Sequence, residues 1–223
     1  KKIFKLATLL RNKNFYRVYD LQTSQRSSFY YNFFRFKNNI EWSGVASGCS
    51  HPDRNPDRNK IHTIERHKIQ LEEIGIKNVK LSDFSWVKST NNYKIDKPYI
   101  LFSPGGSLHR LKKRWPVENY VEIAKKFLRK KITPVILGTS EDLEMGNFIL
   151  MNANGCINLV NKTTIQDLCI LAKDAQLAIG NDTGPMHAFS MCGCNSLVLF
   201  SDDSNPKRCA PRAINKKKLV KII

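Results

Sequence analysis

From Tyr99 to Phe200 the chain repeatedly passes from a short apolar run, through a loop, into a stretch with helical periodicity. The runs are Tyr99-Ile100-Leu101-Phe102, Thr133-Pro134-Val135-Ile136-Leu137, Ile157-Asn158-Leu159-Val160, Leu177-Ala178-Ile179 and Ser196-Leu197-Val198-Leu199-Phe200. A strand that is apolar on both sides must be covered on both faces, and strands separated by helices run parallel. The region is therefore expected to form a Rossmann-like α/β unit. Trp115-Pro116 opens a helix in which Val117, Tyr120, Val121, Ala124, Phe127 and Leu128 share one face. Glu118 near its start and Arg129, Lys130 and Lys131 at its end suit the helix dipole. Further helices are expected over 142–151, after a capping box formed by Thr163 and Gln166, and from Pro185 to about Met191 with Gly193 as a stop.

In such sheets ligands sit beyond the carboxyl ends of the strands, where the loops Ser103-Pro104-Gly105-Gly106-Ser107, Gly138-Thr139-Ser140-Glu141 and Gly180-Asn181-Asp182-Thr183-Gly184-Pro185 fall. The last places a carboxylate, a hydroxyl and a glycine at a helix start, whose free N–H groups and positive dipole end attract anions. His187 lies one turn further on. Taken singly, Asp182 or Thr183 reads equally well as a helix cap and His187 as a core histidine. The loop after the first run carries His109, Arg110, Lys112, Lys113 and Arg114, cations suited to neutralising a diphosphate, although each alone is an ordinary exposed base. Glu141 is placed to accept from ribose hydroxyls, or to decorate a helix start. Neither GxGxxG nor GxxxxGK[ST] occurs, so ordinary NAD and P-loop sites are not indicated.

Residues 1–88 are less regular. Helices are expected ending at 6–10, over 27–36 and over 64–74, with a strand at 15–21; 82–97 has linker polarity, and the boundary is placed at 89–97. The second domain then spans 98–206, and 207–223 forms a basic tail. A formal charge of +18 favours nucleic acid, anionic membranes or phosphorylated substrates, or reflects lysine-rich solvated faces. The six cysteines form no CxxC pair and read as buried thiols of a reducing cytosol. No run approaches the roughly 20 apolar residues of a membrane span.

The order and spacing of Ser103-Pro104-Gly105-Gly106, Lys113-Arg114-Trp115-Pro116, Leu137-Gly138-Thr139-Ser140-Glu141, Gly180-Asn181-Asp182-Thr183-Gly184-Pro185-Met186-His187 and Leu199-Phe200-Ser201 closely resembles the family 9 glycosyltransferases, the bacterial heptosyltransferases of lipopolysaccharide inner-core synthesis. The resemblance covers about 98–212. It implies a GT-B fold of two Rossmann-like domains with parallel sheets, the N-terminal one incomplete here, since the family's opening strand and its loop with a basic Asp find no counterpart before Lys1. It implies ADP-heptose as donor, an anionic lipid A/Kdo core as acceptor, a cytoplasmic enzyme with peripheral contact at the inner membrane, and no nucleic-acid partner, cofactor or metal. Carried across, Lys113 contacts the donor phosphates, Glu141 the ribose, and Asp182, Thr183, Gly184 and His187 the diphosphate and sugar; Lys113 and Asp182 are the catalytic pair. Ser107 matches a hydroxyl of the phosphate loop. Tyr19-Asp20-Leu21-Gln22 and Arg26-Ser27 echo the family's acceptor side, which makes Arg26 a contact for an anionic acceptor. The alternative is a truncated relative that binds a nucleotide sugar or another anion without efficient transfer.

Overall fold

The computed structural model describes residues 2–34, 40–82, 84, 86–88, 91, 93–214 and 220–223. They divide into two compact units, Lys1–Lys80 and Leu81–Ile223, a division earlier in the chain than the sequence-based boundary.

The first unit holds α1 (Lys2–Arg11), β1 (Arg17–Tyr19), α2 (Gln25–Tyr30), a 3₁₀ turn (Tyr31–Phe33), β2 (Glu41–Gly44), β3 (His51–Pro52) and α3 (Thr63–Glu72). Its strands pair in parallel in the order β1-β2-β3, with Val18 beside Trp42 and Ser43 beside His51. Ser24 starts α2 with a reciprocal cap: its hydroxyl accepts from Ser27 N while Ser27 Oγ accepts from Ser24 N. The helix expected over 27–36 begins earlier, at Gln25, because this cap fixes its start, and Phe36 lies outside the described residues. Phe34, Trp42, Ala46 and Cys49 form the small core.

The second unit carries β4 (Tyr99–Ser103), α4 (Val117–Arg129), β5 (Thr133–Ile136), α5 (Leu143–Asn152), β6 (Ile157–Asn158), α6 (Ile165–Asp174), β7 (Ala178–Asn181), α7 (Gly184–Met191), β8 (Ser196–Leu199), α8 (Pro206–Cys209) and β9 (Val220–Ile222). All six strands run parallel in the order β6-β5-β4-β7-β8-β9. The period-two alternation of β4 explains its two-sided burial. Ile100 and Phe102 pack with Tyr120, Val121 and Ala124 of α4 and Ile149 of α5, whereas Tyr99 and Leu101 pack with Leu171 and Ala172 of α6 and Met186 and Phe189 of α7. The chain moves outward through β5 and β6, then returns to place β7 on the other flank of β4. That reversal opens a crevice between the loops after β4 and β7. Close approach there demands glycine: a Cβ on Gly180 would meet Ser103 O and Met186 Sδ at 2.7 Å.

Three local expectations are corrected. The capping box of α6 is formed by Thr164 and Asp167, one residue later than Thr163 and Gln166; the Asp167 carboxylate accepts both Thr164 N (2.7 Å) and Thr164 Oγ1 (2.9 Å). Residues 207–223, read as a tail, include β9, whose Val220 and Ile222 pack onto the core while the lysines before them disguise the strand. In the segment read as a linker, Tyr93 and Ile95 pack against the second unit's core, and Tyr93 Oη donates to Lys162 O at 2.6 Å. No described helix is long and apolar enough to cross a membrane.

Candidate functional site

The loops at the carboxyl edge of the larger sheet enclose a cavity of about 710 Å³, a size typical of small-molecule sites. Ser103, Gly105, Gly106, Ser107, Arg110 and Lys113 come from the β4 loop, and Leu137, Gly138, Thr139, Glu141 and Asp142 from the β5 loop. Thr163, Thr164, Ile165 and Leu168 surround the start of α6, and Asp182, Thr183, Gly184, Pro185 and Ala188 follow β7. Leu137, Ile165, Leu168 and Ala188 give part of the lining an apolar character; Ile165 is 73% exposed although it sits at a binding surface.

The polar part of the site is a closed triangle. Lys113 Nζ donates to Asp182 Oδ2 (2.6 Å) and Ser204 Oγ (2.8 Å), and Ser204 Oγ donates to the same Asp182 oxygen (2.6 Å). The Lys113 and Asp182 side chains are only 11% and 9% exposed, so this pair is far less screened than a surface one. An ammonium has three N–H groups, which leaves one for a ligand. Next to it α7 begins at Thr183, whose side chain makes no cap; its Oγ1 pairs with Ser103 Oγ at 3.2 Å. Pro185 has no N–H and Met186 N donates to Thr183 O (3.2 Å), so what the helix start offers an anion is the Gly184 N–H and the positive end of the dipole, an interaction worth about 0.3–1 kcal/mol per charge.

Asn181 sets the spacing of these loops. Fully buried at the end of β7, it donates through Nδ2 to Pro104 O (2.6 Å) and Gly105 O (3.1 Å). Its Oδ1 accepts from Trp115 N (3.1 Å) and Tyr120 Oη (3.3 Å). Burial pushes the Tyr120 phenol far up, so it stays a donor.

Of the residues singled out from sequence, Ser107, Lys113, Glu141, Asp182, Thr183 and Gly184 line this one cavity. His187 lies on α7, but among the described residues the lining takes Gly184, Pro185 and Ala188 from that helix. Arg26 is exposed on α2, in the other unit. Sequence reasoning missed Asn181 and Ser204, whose partners are distant in the chain, together with Asp142 and the Thr163–Leu168 wall. Among the described residues no group of three or more His, Cys, Asp or Glu side chains is placed to hold a metal ion.

Known proteins resemble this chain over most of its length. The family model described as Glycosyltransferase family 9 (heptosyltransferase) matches residues 3–221. Lipopolysaccharide heptosyltransferase 2 of Salmonella typhimurium is 30% identical over 161 residues, which are 70% of this chain and 43% of that protein. The chain thus spans less than half the length of that curated relative. Among solved structures, the E. coli ADP-heptose lipopolysaccharide heptosyltransferase II superposes with a TM-score of 0.72 at 24% identity, covering 98% of this chain and 71% of the other. The E. coli heptosyltransferase WaaC, solved with ADP, gives 0.72 at 17%, covering 95% and 67%. The fold is the GT-B type of these structures, with two parallel sheets of Rossmann-like character.

Proposed function

The chain belongs to glycosyltransferase family 9, the heptosyltransferase family, and from that premise we propose that it transfers a heptose from ADP-heptose to an anionic lipopolysaccharide inner-core acceptor. The observation that carries this reading is the meeting of Lys113 with the Asp182-Thr183-Gly184 turn in one cavity at the switch point of the sheet.

The donor's diphosphate lies between the third N–H of Lys113 and the open start of α7. Glu141 takes the ribose hydroxyls, and the apolar wall of Leu137, Ile165 and Leu168 takes the flat face of the base. An acceptor hydroxyl attacks the anomeric carbon from the side opposite the leaving group and gives up its proton to water or a base on the acceptor side; the glycosidic C–O bond breaks and its electron pair passes to the diphosphate. Negative charge grows there in the transition state, so Lys113 and the Gly184 N–H at the start of α7 act more strongly on it than on the ground state, which is the requirement for catalysis. Asp182 Oδ2 is occupied by Lys113 and Ser204, which gives Asp182 the task of aiming Lys113 and leaves Oδ1 to accept a sugar hydroxyl.

The first unit is the acceptor side in this reading, with exposed Arg26 as a contact for an anionic core. Helix α1 supports peripheral contact with an anionic membrane: Ile3, Phe4 and Leu9 are more than half exposed, and its sequence holds Lys and Arg but no acidic residue. The test is ADP release by the full chain from ADP-heptose with a Kdo–lipid A acceptor. Release that requires both substrates and gives the inverted glycoside is expected. Binding of ADP without release would make the chain a binding module, and a preference for UDP or GDP in competition would overturn the donor.

A further inference from the structure

One buried carboxylate at the cavity has no part in the donor reading. Asp142, 6% exposed, accepts Thr139 N (2.9 Å) and Thr139 Oγ1 (3.1 Å) on Oδ2, which fixes the β5 loop. Its Oδ1 faces the β4 loop and has no hydrogen-bond partner of its own. Arg114 Nη2 lies 3.5 Å from that oxygen while donating to Gly106 O at 2.5 Å. Both side chains are well covered, at 15% and 7% exposure. The glycines on either side make the room: a Cβ on Gly105 would overlap the Asp142 carboxylate, and one on Gly138 would meet Asp142 Oδ2 at 2.9 Å. Two glycine loops on neighbouring strands are thus shaped around a single anion and its cation.

A lone carboxylate beneath a diphosphate site would repel the ligand, whereas paired with a guanidinium it is neutralised and ties the loops together. We propose that Asp142 and Arg114 form a brace under the cavity: positioning residues that hold the Gly105-Gly106 loop against the Thr139-to-Glu141 loop, so that a nucleoside diphosphate is gripped at its phosphates and its ribose together. This rests on the donor reading above. Arg114 reaches the carbonyl and the carboxylate through one nitrogen, Nη2, whose N–H directions the guanidinium plane fixes; a lysine ammonium at the end of its flexible stem does not fix them in that way.

The experiment measures ADP affinity by calorimetry, and thermal unfolding, for the full chain carrying Arg114→Lys, Asp142→Asn and the pair. The brace requires each single change to weaken ADP about tenfold, the scale of one charge-assisted hydrogen bond, with the double variant little worse than either. Losses that multiply in the double variant, or lowered melting temperatures with ADP affinity within about twofold of the parent, would overturn it. Should these variants fail to fold, Gly105→Ala, which crowds Asp142 without touching the charges, is expected to weaken ADP by a similar factor, and unchanged affinity would count against the brace. If the parent chain binds no ADP, the donor reading fails by itself. The brace is then decided by whether the Arg114 and Asp142 changes couple or add in thermal unfolding.

Discussion

In Leu81–Ile223 six parallel strands are covered on both faces, whereas in Lys1–Lys80 strands of three, four and two residues share one small apolar cluster. The difference goes beyond size. The larger sheet reverses direction beside β4 and so opens a crevice, while the described strands of the smaller one follow chain order, with no reversal among them. Polar closure differs too. Asn181 satisfies both its amide hydrogens and its carbonyl inside the second unit, where the buried atoms without a hydrogen-bond partner are Arg114 Nε and Asp142 Oδ1 of one ion pair, but in the first Asp20 Oδ2, Trp42 Nε1 and Gln70 Oε1 are among several such atoms. A ligand site of defined geometry needs the topology and the closure together, and among the described residues both occur in the second unit.

The largest effect that sharpens this contrast is expected from Phe102→Ala. Phe102 is fully buried against Tyr120, at 5.5 Å between ring centres, and its truncation is expected to cost about 3–5 kcal/mol. Urea unfolding followed by hydrogen exchange should show the loss in the amides of β4, β5 and β7; equal loss across β1 to β3 would mean that the units unfold as one and would erase the contrast. Lys113→Ala comes next, lowering transfer by about 100-fold or more, which is about 2.7 kcal/mol of barrier. Arg26→Ala on the first unit should leave ADP affinity unchanged in calorimetry, and a comparable loss there would put the donor on the wrong unit.

The same contrast governs what could be read from the sequence. The strands β4, β5, β7 and β8 were legible because two-sided burial writes itself as continuous apolar residues, and Gly105, Gly138 and Gly184 marked the loops beyond three of them. In the first unit β2 and β3 were not legible: Glu41-Trp42-Ser43-Gly44 alternates too little, and His51-Pro52 is two residues long with no donor on the proline. Strand β9 was hidden behind lysines. Within the site, Lys113 was one of several loop cations and Asp182 one reading of a helix start until the family resemblance singled them out, whereas Asn181 works through partners 61 to 77 residues away, and Asp142 through space that two glycines leave open. Such roles are created by the fold and have no local signature.

Smaller effects refine the picture. Thr164→Ala removes the cap of α6 at the cavity wall and is expected to cost about 1 kcal/mol, read as a shift in urea midpoint. The last concerns pH. Burial, with neighbouring Cys169 and Cys194, pushes the Cys192 thiol from 9.0 up to about 12. Above pH 9 the unfolded chain has lost a proton that the folded chain keeps, so stability should fall as pH rises from about 9 towards 12. Cys192→Ser should flatten that slope, and an unchanged slope would assign it to other groups.

The most direct measurement is a crystal structure of the full chain grown with ADP. The account requires the diphosphate within hydrogen-bonding distance of Lys113 Nζ and the Gly184 N–H at the start of α7, with the ribose at Glu141. Nucleotide bound at any other surface, or phosphates turned away from Lys113, would contradict it.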